Sequence, residues 1–378
     1  MKIPVSKPDI SDLEKSYVSK AMGENAISGL YGEYLELFNS EFASFCGTNF
    51  SENCSSGTSA IHLSLLAVGI KKGDEVLVST LTNMATFFAV IYCGGIPIPV
   101  DIDPTLYTMC PIDLEKKITK KAKAILVVHL FGQPTEMDLV MQVANSYKLP
   151  IIEDCAEAHG AVYKGQKVGS IGDISAFSFF GNKILACGEG GAVTTNNPEY
   201  IEKVKSLKSL AFGALDQKFM HIDIGYNYRM TNLQASIAYA QIMRAEELIT
   251  KRIKICEYYQ DCLKEFDDNS LLLPVKRNEI KNVYWMYHLN LINNKTGSRE
   301  KLFRSLNNRG IELRPGFVPA NLQKIFKPYN IYNPKDCPNA NKVAFSTFYL
   351  PTFTQITQLE QDYVIDALKS ELKNNLNE

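Results

Sequence analysis

The run Ser175-Ala176-Phe177-Ser178-Phe179-Phe180-Gly181-Asn182-Lys183-Ile184-Leu185-Ala186-Cys187-Gly188-Glu189-Gly190-Gly191 sets a single lysine between a strand-like aromatic stretch and a cluster of glycines. Glycines let backbones approach closely and take conformations closed to other residues. A lysine amine in a largely apolar pocket loses its proton more readily, which suits imine formation with an aldehyde. Most lysines are solvated, so Lys183 alone decides nothing; the sequence around it does.

Upstream, Pro150-Ile151-Ile152-Glu153-Asp154-Cys155-Ala156-Glu157-Ala158-His159-Gly160 reads as an apolar strand ending in acids. Asp154 there can pair with a protonated pyridine nitrogen, or can cap a following helix. Earlier still, Ser55-Ser56-Gly57-Thr58-Ser59-Ala60 opens the helical pattern Ala60–Val68. Free N–H groups and small hydroxyls at a helix N-terminus suit a phosphate, and they also suit a plain cap. Cradle, strand-end acid and lysine follow one another in a single α/β pattern, and the combination carries the argument.

That pattern is visible along the first two-thirds of the chain. Glu75–Val78, Ile96–Val100, Ala124–His129 and Leu149–Glu153 read as buried strands, with amphipathic stretches such as Ala60–Val68 and Thr135–Tyr147 between them. Strands alternating with helices indicate a mostly parallel sheet, whose ligand sits beyond the carboxyl ends of its strands. From about Gln234 the pattern becomes one long charged helix, Leu233–Arg244 continuing through Ile249–Glu265. Val283–Ile292 reads as a strand, Leu359–Leu372 as a terminal helix, and the residues after it as a frayed tail. The division falls near residue 250, giving 1–250 as a large domain and 251–378 as a smaller one, with the N-terminal segment free to pack on the latter.

Composition agrees with a soluble two-domain protein: 378 residues, 46% hydrophobic and 21% charged. The 40 basic and 41 acidic residues nearly cancel, so neither nucleic acid nor an anionic membrane is indicated and an anionic ligand needs a local site. The N-terminus lacks a signal-peptide pattern, and no apolar run is long enough to span a bilayer. Nine cysteines at irregular spacing read as reduced thiols in a cytoplasmic protein. The five histidines show no metal-ligand spacing, so no metal is expected.

Glu153-Asp154-Cys155-Ala156-Glu157-Ala158-His159, Phe177-Ser178-Phe179-Phe180-Gly181-Asn182-Lys183, Gly188-Glu189-Gly190-Gly191 and Gly225-Tyr226-Asn227-Tyr228-Arg229-Met230-Thr231-Asn232-Leu233-Gln234-Ala235 resemble the DegT/StrS family of sugar-nucleotide aminotransferases, over nearly the whole chain. The resemblance implies an α/β fold of the aspartate-aminotransferase-like kind (pyridoxal-phosphate transferase fold type I), a large domain with a mainly parallel sheet plus a smaller α+β domain. It implies pyridoxal 5'-phosphate as cofactor, held covalently by Lys183, which also moves the proton. Asp154 is implied at the pyridine nitrogen, Glu157 at the ring hydroxyl side, and Gly57, Thr58 and Ser178 at the phosphate. Asn227 is implied to reach the cofactor of a neighbouring subunit in a homodimer, and Arg229, Arg314 and Asn321 to contact substrate. The implied reaction moves an amino group from glutamate to a keto group, at carbon 4, of a nucleotide-linked deoxysugar such as GDP-4-keto-6-deoxymannose, for surface polysaccharide. Amination at carbon 3 or of another ketosugar, a pyridoxal-phosphate lyase, and a non-catalytic regulatory protein of the same fold stay open. A lyase branch that replaces the lysine with histidine is disfavoured by Lys183. A nicotinamide enzyme is disfavoured because no Gly-x-Gly-x-x-Gly follows the first strand.

The chain departs from the family pattern at two places. Asn83 stands where relatives offer an aromatic to stack on the cofactor; it is implied as a cofactor contact itself, with ring packing falling to Met84, to Phe87 or Phe88, or being weaker. Gly316 and Asn321 replace an aromatic and a histidine in Arg314-Pro315-Gly316-Phe317-Val318-Pro319-Ala320-Asn321. Elsewhere plain readings prevail. Tyr284-Trp285-Met286-Tyr287-His288 reads as core packing on a strand, Lys164 and Lys167 as exposed flanks of a glycine turn, and His159 as a satisfied, partly buried imidazole.

Overall fold

The aliphatic runs of the first half form one sheet because each can be covered on both faces by helices that return the chain for the next strand. The computed structural model describes residues 2–213, 219–267, 270–292 and 297–376. Seven strands lie in the order Phe50–Cys54, Gly191–Thr195, Ile174–Ser178, Ile151–Asp154, Ala122–Val128, Glu75–Ser79 and Ile96–Val100. All run the same way except Gly191–Thr195, which is antiparallel to both its neighbours. In register, Val128 pairs with Asp154 and Asp154 with Ala176. The carboxyl ends of the central strands therefore finish at one edge, where the chain segments carrying Glu157 and Lys183 emerge. Helix Gly57–Ala67 is buried along most of its length, and helix Met137–Tyr147 starts two residues later than its sequence pattern.

A second sheet orders Leu271–Leu272, Tyr287–Leu291, Thr347–Leu350 and Arg314–Pro315, antiparallel throughout. Its apolar face packs with residues of helices Ala245–Leu263, Ser298–Asn308 and Gln358–Leu376 in a core that includes Tyr259, Leu289, Leu306, Phe348 and Leu368. Ile3 joins this core, and its N–H donates to the Gly310 carbonyl at 2.8 Å. Trp285, Ala320, Phe326 and Val343 pack instead in the core under the large sheet. Three readings of the sequence change. The long charged helix breaks at Arg244, whose φ of −106° separates Asn232–Met243 from Ala245–Leu263 while its guanidinium binds Asp9, Glu14 and Glu247. The terminal helix runs on to Leu376 through the segment expected to fray. At the turn between Val162–Tyr163 and Gln166–Lys167, Lys164 is exposed and paired with Asp138, but Lys167 is not a solvated lysine. Its ammonium donates to the Phe45 carbonyl at 2.6 Å and lies 4.2 Å from the Phe45 ring centre.

Glu153 fastens the central strand to the chain beyond it. The carboxylate is fully buried and accepts from the N–H groups of Gly169 (3.0 Å), Ile171 (2.9 Å) and Gly172 (2.7 Å), the Ser175 hydroxyl (3.1 Å) and His129 Nε2 (2.9 Å). His129 Nδ1 accepts from Thr135 N–H, so the ring proton sits on Nε2 and points at Glu153. Burial alone would raise this carboxyl, but the His129 bond and the Gly169 and Gly172 donors hold it below the usual carboxylate range. A depressed folded-state pKa means that its stabilisation is complete above the unfolded value of about 4.3 and is lost as pH falls through the folded one. Glu153→Gln turns an amide NH2 toward donors. It is expected to cost about 3 kcal/mol or more at pH 7, with the difference from wild type shrinking below about pH 4. Denaturant titrations of both proteins across that range measure it; equal stability at pH 7 would remove Glu153 from this role.

Candidate active site

Gly57, Thr58, Asn83, Asp154, Glu157, Ser178, Lys183 and Arg314 all line one cavity of about 480 Å³ at the carboxyl edge of the large sheet. At one end, helix Gly57–Ala67 begins against the end of strand Ile174–Ser178. A Cβ on Gly57 would lie 2.7 Å from the Ser178 Cβ, so only glycine lets these backbones meet. The Ser56 hydroxyl accepts from Ser59 N–H, and the Ser59 hydroxyl accepts in turn from Ser56 N–H. The N–H groups of Gly57 and Thr58, at the first turn, have no carbonyl inside the helix to bind. With the Ser178 hydroxyl beside them, they form a donor cluster at the positive end of a helix, which suits a phosphate.

Asp154 is 5% exposed. Its Oδ1 accepts from Ala156 N–H at 3.1 Å, and its Oδ2 accepts from the Thr86 hydroxyl at 2.9 Å, itself 2.9 Å from the Thr82 hydroxyl. No helix follows the strand for Asp154 to cap; it closes a local turn instead, and it lines the cavity. Burial raises its carboxyl, opposed by the Ala156 and Thr86 bonds and by the Lys183 charge. Glu157 Oε2 accepts from Phe131 N–H at 2.8 Å, an N–H aimed by the left-handed backbone of Phe131 (φ 58°) just past strand Ala122–Val128. Glu157 Oε1 lies 3.9 Å from Lys183 Nζ. Burial pushes Glu157 up to about 7, with the Lys183 charge opposing. Burial also lowers the Lys183 ammonium, with Glu157 and Asp154 opposing. A lysine whose charge is disfavoured, an acid near neutrality and a phosphate cradle share one space. They fit the cofactor that the resemblance implies, since pyridoxal phosphate offers an aldehyde, a ring nitrogen, a ring hydroxyl and a phosphate.

Sequence reasoning missed the opposite wall. Trp285 lines the cavity with its ring centre 4.2 Å from Lys183 Nζ, and its Nε1–H donates to the Asn182 carbonyl at 2.9 Å. It is buried, as expected, but the alternation expected of a strand is broken at Tyr284, whose φ is 49°. The strand begins only at Tyr287, and the indole faces the site. The expectation that Asn321 contacts substrate is corrected. It is fully buried, its Oδ1 accepts from the Thr80 hydroxyl (2.9 Å), and its Nδ2 donates to the Asp336 carbonyl (2.8 Å) and to Asn341 Oδ1 (2.9 Å). With its amide fully engaged, it braces the fold and is closed to substrate. Met84, Phe87 and Phe88 do not line the cavity; both phenylalanines pack against Phe326. Asn83 stays exposed at the cavity wall, its Oδ1 accepting from Ala85 N–H.

Asn227 and Arg229 also stand outside the cavity of their own chain. Asn227 is exposed, and Arg229 Nη1 donates to the Ser209 hydroxyl at 3.2 Å. The loop is tied to the cradle by Ser55 N–H donating to the Tyr228 carbonyl at 2.7 Å. His159 is fully buried among Phe42, Phe177 and Phe179, and neither ring nitrogen has a hydrogen-bond partner, so it is not the satisfied imidazole expected. Burial drops it to about 3, so it is neutral. His129, Glu153 and Cys155 come close enough together to suggest a metal, but His129 spends both nitrogens on Thr135 and Glu153.

Residues 8–369 match the model of the DegT/DnrJ/EryC1/StrS aminotransferase family. A GDP-perosamine synthase of Caulobacter vibrioides is 38% identical over 367 residues, 97% of this chain and 97% of that protein. One from Escherichia coli O157:H7 is 37% identical, again over 97% of both. Among solved structures, DesV of S. venezuelae in complex with a ketimine intermediate is similar at a TM-score of 0.88 and 30% identity, covering 95% of this chain and 94% of that one.

Proposed function

The chain belongs to the DegT/DnrJ/EryC1/StrS aminotransferase family, and from that premise we propose that it moves an amino group from glutamate to the carbon-4 keto group of a nucleotide-linked deoxysugar, GDP-4-keto-6-deoxymannose being the first candidate. It is a pyridoxal-phosphate-dependent sugar aminotransferase. The finer reading rests on one observation above the others: its likeness to GDP-perosamine synthases extends over 97% of the chain. Arg314, half-exposed on the cavity wall and bonded to Glu312 at 3.3 Å, supports an anionic or oxygen-rich substrate entering from that side. The nine cysteines are all free thiols, which supports a reducing cytoplasm.

When bound, pyridoxal phosphate supplies the electron sink that lets a carbon next to nitrogen give up a proton. The chain's own groups do the rest. Gly57 and Thr58 N–H and the Ser178 hydroxyl would hold the phosphate, Asp154 would keep the ring nitrogen protonated, and Glu157 would meet the ring hydroxyl. Lys183 Nζ would hold the cofactor at rest. Once free, Nζ would take the proton from the α-carbon of glutamate and pass it to the cofactor's aldehyde carbon, and in the second half it would take that proton back and deliver it to the sugar carbon. Burial is what makes Nζ a usable base, because a fully solvated lysine stays protonated at neutral pH.

Asn227 acts across a homodimer. Its exposure supports this, as does the apolar surface on the same loop: Met220, Ile222 and Ile224 are 65%, 70% and 79% exposed. Such a patch is unusual on a surface left in water.

Loaded enzyme given glutamate and GDP-4-keto-6-deoxymannose is expected to yield the 4-amino sugar and 2-oxoglutarate in equal amounts, read by mass spectrometry of the products. Amination of UDP- or dTDP-linked ketosugars alone, or at carbon 3, would replace this substrate reading and leave the family intact. For the shared site, Lys183→Ala protein is mixed with Asn227→Ala protein and allowed to exchange subunits. One site of each heterodimer then has both side chains and the other has neither. Activity should rise above both parents; if native mass spectrometry confirms exchange and activity stays at the parental average, Asn227 does not cross the interface.

A further inference from the structure

Lys183 must leave the cofactor and return to it in every cycle, and the structure gives the free amine a place to wait. We propose that the face of Trp285 holds the Lys183 ammonium whenever this amine carries a proton and is not linked to the cofactor. The inference rests on the role given to Lys183 above.

Lys183 Nζ makes no hydrogen bond among the described residues; it lies 4.2 Å from the centre of the Trp285 ring and 3.9 Å from Glu157 Oε1. An indole presents the strongest π face of any side chain to a cation. Unlike a hydrogen-bond acceptor, it attracts charge without fixing the direction of an N–H, so the amine stays free to swing back. The indole itself cannot move. Its Nε1–H is bonded to the carbonyl of Asn182, the residue before the lysine, and its own carbonyl accepts from Arg252 Nη1 at 2.7 Å. Its ring stacks on Phe317 (6.3 Å between centres, 7° between planes), which stacks in turn on Phe131 (5.9 Å, 7°). Ring and lysine are thus held to one turn of chain, although the bond that joins them spans 103 residues.

The other charged or titratable groups around the amine are Asp154 and Glu157 at the end of the central strand, His159 behind them, Glu189 in the glycine turn, and Arg314 and Tyr349 from the second sheet. The carboxylates favour the ammonium, while burial opposes it. Against that background a desolvated cation–π contact is worth roughly a 2- to 30-fold bias toward the protonated amine.

The test uses the holoenzyme after glutamate has freed Lys183. Cyanate, which attacks only neutral amines, is applied over a range of pH, and carbamylation of Lys183 is followed by peptide mass spectrometry. Trp285→Leu keeps the apolar bulk and loses the π face; at a pH below the lysine's pKa it should react about 2- to 30-fold faster than wild type. Trp285→Phe should fall between the two, and exposed Lys164 should react equally in all three. Equal or slower reaction of Lys183 in Trp285→Leu overturns the proposal. If that protein does not fold, Trp285→Phe decides, and a rate equal to wild type overturns it. Reactivity of wild-type Lys183 that is the same before and after glutamate would instead show that the amine was never linked to the cofactor, a failure of the underlying reading.

Discussion

Strand Ile151–Asp154 ends in two adjacent carboxylates, and strand geometry sends them to opposite faces of the sheet. Burying either as an anion is expensive unless donors replace the water it loses. Glu153 takes five donors and in doing so fixes the Gly169–Gly172 turn and His129 against the sheet. Asp154 takes only two, from Ala156 and Thr86, and presents its remaining acceptor capacity to the cavity. The saturated acid serves the fold, and the undersaturated one faces the cavity. The positions of Glu157, Ser178 and Lys183 follow from where the sheet edge is pinned.

The opposite wall depends on another buried charge. Arg252 is 2% exposed on helix Ala245–Leu263, and its Nη1 donates to the carbonyls of Trp285 (2.7 Å) and Thr352 (2.6 Å). Burial pulls its guanidinium down to about 10, still far above neutrality, so it is a cation inside the protein whose partners among the described residues are carbonyl oxygens. It draws the chain around Trp285 and the end of strand Thr347–Leu350 onto one helix, and so carries the indole to Lys183. The cavity is therefore a joint product of both cores, one supplying Lys183 and Asp154, the other setting Trp285 and Arg314 in place.

What the sequence reveals and what it hides divide along the same line. Strands such as Ile96–Val100, the helix after Ser56 and the acid at Asp154 are local: apolar runs, a cap and the residue that ends a run. Gly57, Thr58, Asp154, Glu157, Ser178 and Lys183 all lie beside such signals, and one cavity gathers them. Trp285 is hidden because its bond to Asn182 spans 103 residues and because the positive φ of Tyr284 interrupts the alternation that a strand reading assumes. Asn321 misleads for the opposite reason. It stands in a motif position for which the family resemblance implies a substrate contact, but an amide can satisfy four neighbours at once, and here it is drawn into the fold. The break at Arg244 is likewise invisible in a helical pattern, because the acids that pull on it include Asp9 and Glu14, far away in sequence.

At the centre stand one amine and two acids in a buried space. Burial weakens the charge on all three, and the attraction between amine and acids restores part of it, the condition under which the proposed reaction has Lys183 bind an aldehyde and then carry a proton. The most direct measurement of that claim is borohydride reduction of the protein loaded with pyridoxal phosphate, followed by proteolysis and mass mapping. The account predicts the reduced cofactor on Lys183. Label on Lys164 or Lys167, or no covalent label at all, would contradict it.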